Sequence, residues 1–144
     1  MANYTILGSK GGYVYSPRVE FIEEYIDCAT NNLAQGNNIR AIYWPAGGVL
    51  MHVGIYVLTV EAGATVDIGD SNAVDQYIDA GSLATATYVH DSLAAPVGKA
   101  SADYISVAAT DGLLDSAQFV VFALLANMKV TKDTNCIAVT PVAV

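Results

Sequence analysis

Hydrophobic and polar positions alternate along most of this chain with a period of two, the spacing of a β-strand that turns one face to a core. The longest strand-like run, residues 49–61, departs from that alternation. Val49, Met51, Val53, Ile55, Val57 and Thr59 fall on one face, and Leu50, His52, Gly54, Tyr56, Leu58 and Val60 on the other. Both faces are largely apolar, which predicts a central strand covered on both sides by sheet or by another subunit. Gly54 interrupts the second face, as a bulge or a close approach would require. Residues 39–44, 64–68, 103–109, 117–128 and 136–144 read as further strands, and 83–89 as an extended segment. Between them lie turn signals: Gly36-Asn37-Asn38, Pro45-Ala46-Gly47-Gly48, Ala62-Gly63, Asp111-Gly112 and Lys132-Asp133-Thr134-Asn135. Short strands punctuated this way predict an all-β sandwich or barrel.

Two segments read less simply. In residues 18–28, Ser16-Pro17 would start a helix with Val19, Ile22 and Ile26 on one face. As a strand, Ile22, Glu24, Ile26 and Cys28 alternate with Phe21, Glu23, Tyr25 and Asp27. The strand is adopted, since the segments after it are strands. Residues 1–16 place Tyr4, Ile6, Tyr13 and Tyr15 around a Gly8-Ser9-Lys10-Gly11-Gly12 hinge. They read as an extended arm that packs on a neighbour, or as a frayed terminus. The organisation expected is an N-terminal arm, 1–16, and one sandwich domain, 17–144.

Composition sharpens this picture toward association. Of 144 residues, 53% are hydrophobic and only 14% charged, against about 25% charged in ordinary soluble domains. So few charges point to burial of apolar surface between subunits, the alternative being a compact sandwich whose surface is Ser, Thr, Asn and Gly. The formal net charge is −8, with no basic cluster. Such a field repels phosphate, so no nucleic-acid partner is expected. It favours basic partner surfaces instead. The longest apolar stretches, 47–60 (broken by His52) and 119–126, are shorter than the roughly 20 residues of a membrane-spanning helix. No membrane partner is expected. No secretory signal pattern is present at the start, so synthesis in the cytoplasm is expected. Cys28 and Cys136 match no zinc spacing and read as buried thiols, with a single disulfide as the alternative.

Catalytic chemistry finds little to stand on. His52 lies mid-strand on a mostly apolar face and reads as a hydrogen-bonded histidine at a core edge or interface. His90-Asp91 is a loop pair, and adjacency in sequence does not make a dyad. No GxSxG, HExxH, Walker or GxGxxG motif occurs. No catalytic residue and no cofactor are assigned, and the chain is not expected to be an enzyme. The acids Asp67, Asp70, Asp75 and Asp79 are a candidate calcium site, though their spacing is not that of an EF-hand loop. The alternative is turn chemistry, with Asp70 and Asn72 bonding local backbone amides. A sugar-binding platform is a second possibility, from Trp44 and the tyrosines Tyr43, Tyr56, Tyr77, Tyr88 and Tyr104. Against it, Trp44 beside Pro45 reads as a packed corner.

The order of parts from Glu20 to about Met128 carries a resemblance. A strand near residue 22 is followed by Asn32-Leu33-Ala34-Gln35-Gly36, then by a strand ending at Pro45-Ala46-Gly47 and the long Val/Ile strand. Thr65-Val66-Asp67-Ile68-Gly69-Asp70 comes next, then Tyr77-Ile78-Asp79-Ala80-Gly81 ahead of two more strands. This resembles the small β-sandwich structural proteins of tailed bacteriophages, capsid decoration (cement) proteins among them. The resemblance implies a jelly-roll-like antiparallel sandwich, often a homotrimer. Such a subunit sits on the capsid surface of the virion and ties neighbouring major capsid protein subunits together. It carries over no catalytic residues. Tyr4, Tyr13 and Tyr15 of the arm and Tyr56 of the long strand are the interface candidates. A tail or head-fibre component is the near alternative, and a carbohydrate-binding module the distant one.

Overall fold

The computed structural model describes residues 3–5, 18–91, 93, 95–127 and 140–142. These residues are all β, with no helix. The strands are β1 (Asn3–Thr5), β2 (Arg18–Asp27), β3 (Asn38–Trp44), β4 (Gly48–Thr59), β5 (Thr65–Gly69), β6 (Ile78–Ser82), β7 (Tyr88–His90), β8 (Val97–Gly98), β9 (Asp103–Ala109), β10 (Gln118–Asn127) and β11 (Thr140–Val142).

Arg18–Asn127 forms one compact unit. One of its sheets has the order β2-β10-β4-β7, with β8 also pairing β4; the other has the order β3-β9-β5-β6. Every pairing is antiparallel. Residues from both sheets meet in a single core that includes Trp44, Val53, Ile55, Ile68, Ile105, Val107, Phe119 and Val121. This is a β-sandwich.

The helix-or-strand ambiguity of residues 18–28 resolves as strand. β2 pairs with β10 over its whole length, from Arg18↔Asn127 to Asp27↔Gln118. Tertiary pairing overrides the Ser-Pro start signal. The corner at Trp44 is packed as expected. Its indole is fully buried and donates Nε1–H to the Gly48 carbonyl at 3.0 Å.

Two expectations are corrected. The first is the face assignment of β4. The register to β10 slips between Leu124↔His52 and Leu125↔Leu50, so Met51 is an extra residue. Leu50 therefore points into the core, as do Val53, Ile55 and Val57 beyond the bulge, while Met51 is exposed. One strand thus feeds the core from even positions before the bulge and odd positions after it. The second is in residues 78–90. Ile78–Ser82 forms β6, which the sequence pattern did not single out, and of 83–89 only the last two residues lie in a strand.

The chain ends form a separate compact unit, Met1–Pro17 with Met128–Val144. Within it β1 pairs antiparallel with β11, Tyr4 opposite Pro141. Tyr13, Tyr15, Cys136 and the turn expected at 132–135 lie outside the described residues.

Candidate interaction surface

The sheet β2-β10-β4-β7 has one face in the core and one open. Alternation sends Ile26, Phe119, Val121, Ala123, Val53 and Ile55 inward. The register lines up the opposite side chains in rows. Tyr25, Val120, Tyr56 and Tyr88 form one row, and Glu23, Phe122, Gly54 and His90 the next. Phe21, Leu124 and His52 form a third, with Val19 beside Ala126 below it. Several of these side chains are strongly exposed: Val19 at 63%, Phe21 at 61%, Tyr56 at 52% and Tyr25 at 51%. Scattered apolar residues on a surface are ordinary, but a contiguous aromatic field is not.

The centre of this field is built with care for one ring. Phe122 stacks on Phe21 with centroids 5.4 Å apart and on Tyr88 at 5.6 Å. Gly54 sits under it. A Cβ there would come within 2.5 Å of the tip of the Phe122 ring. The glycine noted in the sequence therefore serves a close approach.

His52 anchors one side of the field. Its Nδ1 lies 2.6 Å from Asp91 Oδ2, and its Nε2 shares a hydrogen bond with the Tyr88 hydroxyl. Asp91 in turn accepts from the Val53 amide at 2.6 Å and the Leu93 amide at 3.2 Å. His90, adjacent to Asp91 in sequence, forms no dyad with its carboxylate: its Nδ1 lies 2.9 Å from the Asp91 backbone carbonyl. Burial, then the Asp91 charge, pushes the Tyr88 hydroxyl up from its ordinary value. The triad holds Tyr88 in place at the edge of the face.

The acidic candidates do not converge. Among the described residues, no group of three or more His, Cys, Asp or Glu side chains is placed to hold a metal. Asp75 and Asp79 are exposed, while Asp67 and Asp70 are buried. Asp67 accepts from the Ala80 amide at 2.8 Å, which fixes Ala80 at a positive φ of 49°. Burial, with Asp79 and Asp75 nearby, raises the Asp67 carboxyl above its ordinary value.

Asp70 does make the local turn bond, accepting from the Asn72 amide at 2.7 Å. It also joins a buried network that spacing could not reveal. Lys99 Nζ lies 2.8 Å from Asp70 Oδ2 and bonds Asp103 as well. Tyr77 donates its hydroxyl to Asp70, and Ser71 donates to Asp103 at 2.7 Å. The Lys99 ammonium also sits 5.3 Å from the centre of the Trp44 ring. Burial raises both carboxyls, but the bonds and charge of Lys99 outweigh it and hold Asp70 and Asp103 below the ordinary range. This cluster is a strap for the 97–103 loop.

The residues proposed for a sugar platform are dispersed. Trp44 and Tyr77 are fully buried. Tyr56 and Tyr88 belong to one sheet, Tyr43 and Tyr104 to the other. The latter pair meet edge to face, at 65°, with Arg40 over Tyr104. Tyr104 borders a polar cleft of about 460 Å³ lined also by Asn38, Arg40, Ser71, Asp103 and Ser106.

Of the interface candidates, Tyr56 lies on the open aromatic face. Tyr4 lies in β1. The sequence reading missed Phe21, Tyr25, Tyr88 and Phe122 as members of the same surface. The signal was present in Val19, Phe21 and Tyr25, an apolar alternation on the face opposite Ile22 and Ile26.

No protein-family model matches the chain, and a search of curated proteins finds no match. Three solved phage capsids contain chains of similar fold. A chain of the cyanophage Pam1 capsid asymmetric unit superposes with a TM-score of 0.63 at 13% identity, over 85% of this chain and 92% of that one. A chain of the acidic stable capsid of Helicobacter pylori bacteriophage KHP30 gives 0.61 at 12%, over 92% and 98%. One from the capsid of Ralstonia phage GP4 gives 0.59 at 14%, over 79% and 86%. At these identities the likeness is one of fold. The coverages are high in both directions, so the matched chains are of about this chain's own length.

Proposed function

We propose that this protein is a structural component of a tailed-phage virion, and specifically a capsid decoration, or cement, protein. It binds the outer shell as an oligomer, a homotrimer by first choice, and stabilises contacts between major capsid protein subunits. One observation carries this reading: the fold is shared, nearly end to end, with chains of similar length in three phage capsids. The low charge content and the open aromatic face support it, because both suit a surface meant to be covered.

The physical logic is simple. Packed DNA strains the seams of a shell. A small oligomer placed across a seam makes several modest contacts at once. Linked in one body, those contacts gain avidity through effective concentration. None of this requires a cofactor or a catalytic group. The protein is made in the host cytoplasm and resides on the capsid surface.

The copy number in purified particles of the source virus, relative to the major capsid protein, tests the reading. A simple fraction of the shell subunits, hundreds of copies, is the expected result. A few to some tens of copies moves the protein to the tail or head fibres. Absence from particles overturns the virion reading.

Residues 1–16 are assigned to docking as an arm. Arg18–Asn127 is compact by itself, so deleting 1–16 is expected to leave the melting of the sandwich intact while weakening attachment to shells. Unchanged attachment in a pull-down on purified shells makes the segment passenger sequence.

A further inference from the structure

We infer that the open face of the β2-β10-β4-β7 sheet is the surface that meets the shell. Its partner is an apolar patch of the shell protein bearing a lysine or arginine opposite Glu23. This rests on the virion reading above and names the face and chemistry of the contact.

Three observations lead there. First, charge. Among the described side chains on this face no lysine or arginine occurs, while three carboxylates do: Asp27 at one end is bonded to Gln118 and Thr30, Asp91 at the edge is bonded to His52, and Glu23 stands amid the rings, between Phe21 and Tyr25 and beside Phe122. Two copies meeting through the same face would set apolar on apolar but leave both glutamates without a cation. A basic, apolar surface satisfies the apolar rows and Glu23 together, and the chain's net charge of −8 draws it in.

Second, area. Three strands of about ten residues, about 4.8 Å apart with a rise of about 3.3 Å per residue, and the short β7 at their edge give a face of roughly 500 Å². That is at the upper end of the patches monomers leave open, about 300–600 Å². A twofold pair would bury about 1,000 Å² in total, well short of the roughly 1,600 Å² of a standard stable interface. A contact of this size suffices where one oligomer repeats it on a shell, and is thin for a pair of copies with no other contact.

Third, preorganisation. Phe122 is clamped between Phe21 and Tyr88, and Tyr88 is held by His52 and Asp91. Rings already fixed lose little freedom on binding, which favours a permanent contact surface.

The experiment uses the full chain and empty shells assembled from the source phage's major capsid protein alone. Binding is measured for the native protein, for a Phe21→Ser/Tyr56→Ser double variant, for Glu23→Lys, and for Tyr43→Ser on the other sheet. The first two variants are expected to lose about tenfold or more in affinity, as central interface residues do. Tyr43→Ser is expected to bind as the native protein does. Glu23→Lys alters an exposed side chain only, so it keeps the test open if the double variant fails to fold. Native affinity in both face variants overturns the inference, as does an equal loss from Tyr43→Ser. Sedimentation without shells supplies the rival outcome: a smaller oligomer from the face variants makes this a self-interface and overturns it too. If the native protein itself ignores the shells, the virion reading falls, and this inference with it.

Discussion

Replacing Lys99 with methionine is expected to destabilise the Arg18–Asn127 sandwich by about 3 kcal/mol, because it leaves the buried Asp70 carboxylate facing the partly buried Asp103 without a cation. Methionine keeps most of the side chain's length and loses the ammonium, with its bonds to both carboxylates and its place over the Trp44 ring. Against a typical total of about 5–15 kcal/mol, this is a large fraction. Urea denaturation reads it as a lower midpoint at unchanged slope. Adding Asp103→Asn to Lys99→Met should restore part of the loss, since one stranded charge goes with it. A Lys99→Met protein that unfolds at the native midpoint removes the network from any account of stability.

The same network sets a pH dependence. Asp70 and Asp103 are lowered in the folded protein, so their contribution is present above the ordinary aspartate value of 3.8 and is lost as pH falls through their lowered folded values. Lys99 is raised, so its contribution is present below its ordinary value of 10.5 and is lost as pH rises through the folded one. Asp67 works in the opposite sense. Its raised carboxyl costs stability when ionised and is relieved in acid. Acid melting of the native protein should therefore be shallow at first and steepen only below the ordinary aspartate value. In Lys99→Met the acid sensitivity of the Asp70–Asp103 pair should be reduced or reversed.

Gly69→Ala is expected to be the most damaging of the glycine substitutions, on the order of 3 kcal/mol or more. A Cβ at Gly69 would overlap the Ala73 carbonyl oxygen and the backbone of Val74. That obstacle is main chain, and Asp70 N–H is bonded to the same Ala73 carbonyl at 2.9 Å, so it cannot step aside. Gly54→Ala meets the ring edges of Phe122 and Tyr88 instead, and displacing these side chains costs their stacking but breaks no main-chain bond. Gly54→Ala should cost clearly less stability, while disturbing the open face. Equal denaturation midpoints for the two variants would show that the 69–74 turn is softer than its contacts indicate.

The strands were legible because their patterns are local. Residues 103–109 alternate cleanly, and β9 occupies that span. The bulge at Met51 was not legible, because inserting one residue into a run apolar on both faces leaves no trace in composition. β6 was hidden for a related reason: Ile78–Ser82 is short and contains Ala80 and Gly81. Trp44 could be read as a corner because proline and two glycines follow it directly or nearly so. The Asp70 turn bond is local and was anticipated. Its union with Lys99, like that of His52 with Asp91, joins residues brought together only by pairing between distant strands.

The order of strands has a consequence for how the chain comes into being. β10, the last strand of the sandwich, lies between β2 and β4, and β9 lies between β3 and β5. Each sheet therefore waits for a centre strand made late. At about 5–20 residues per second, β2 spends roughly 5–20 s outside the ribosome before its partner exists. Throughout that interval the edges of β2 and β4 that β10 will cover stay unpaired. The β3-β9-β5-β6 sheet can be complete once residue 109 has been added, but the β2-β10-β4-β7 sheet closes only after residue 127, so a chain terminated between these points carries one finished sheet with no complete partner to pack on.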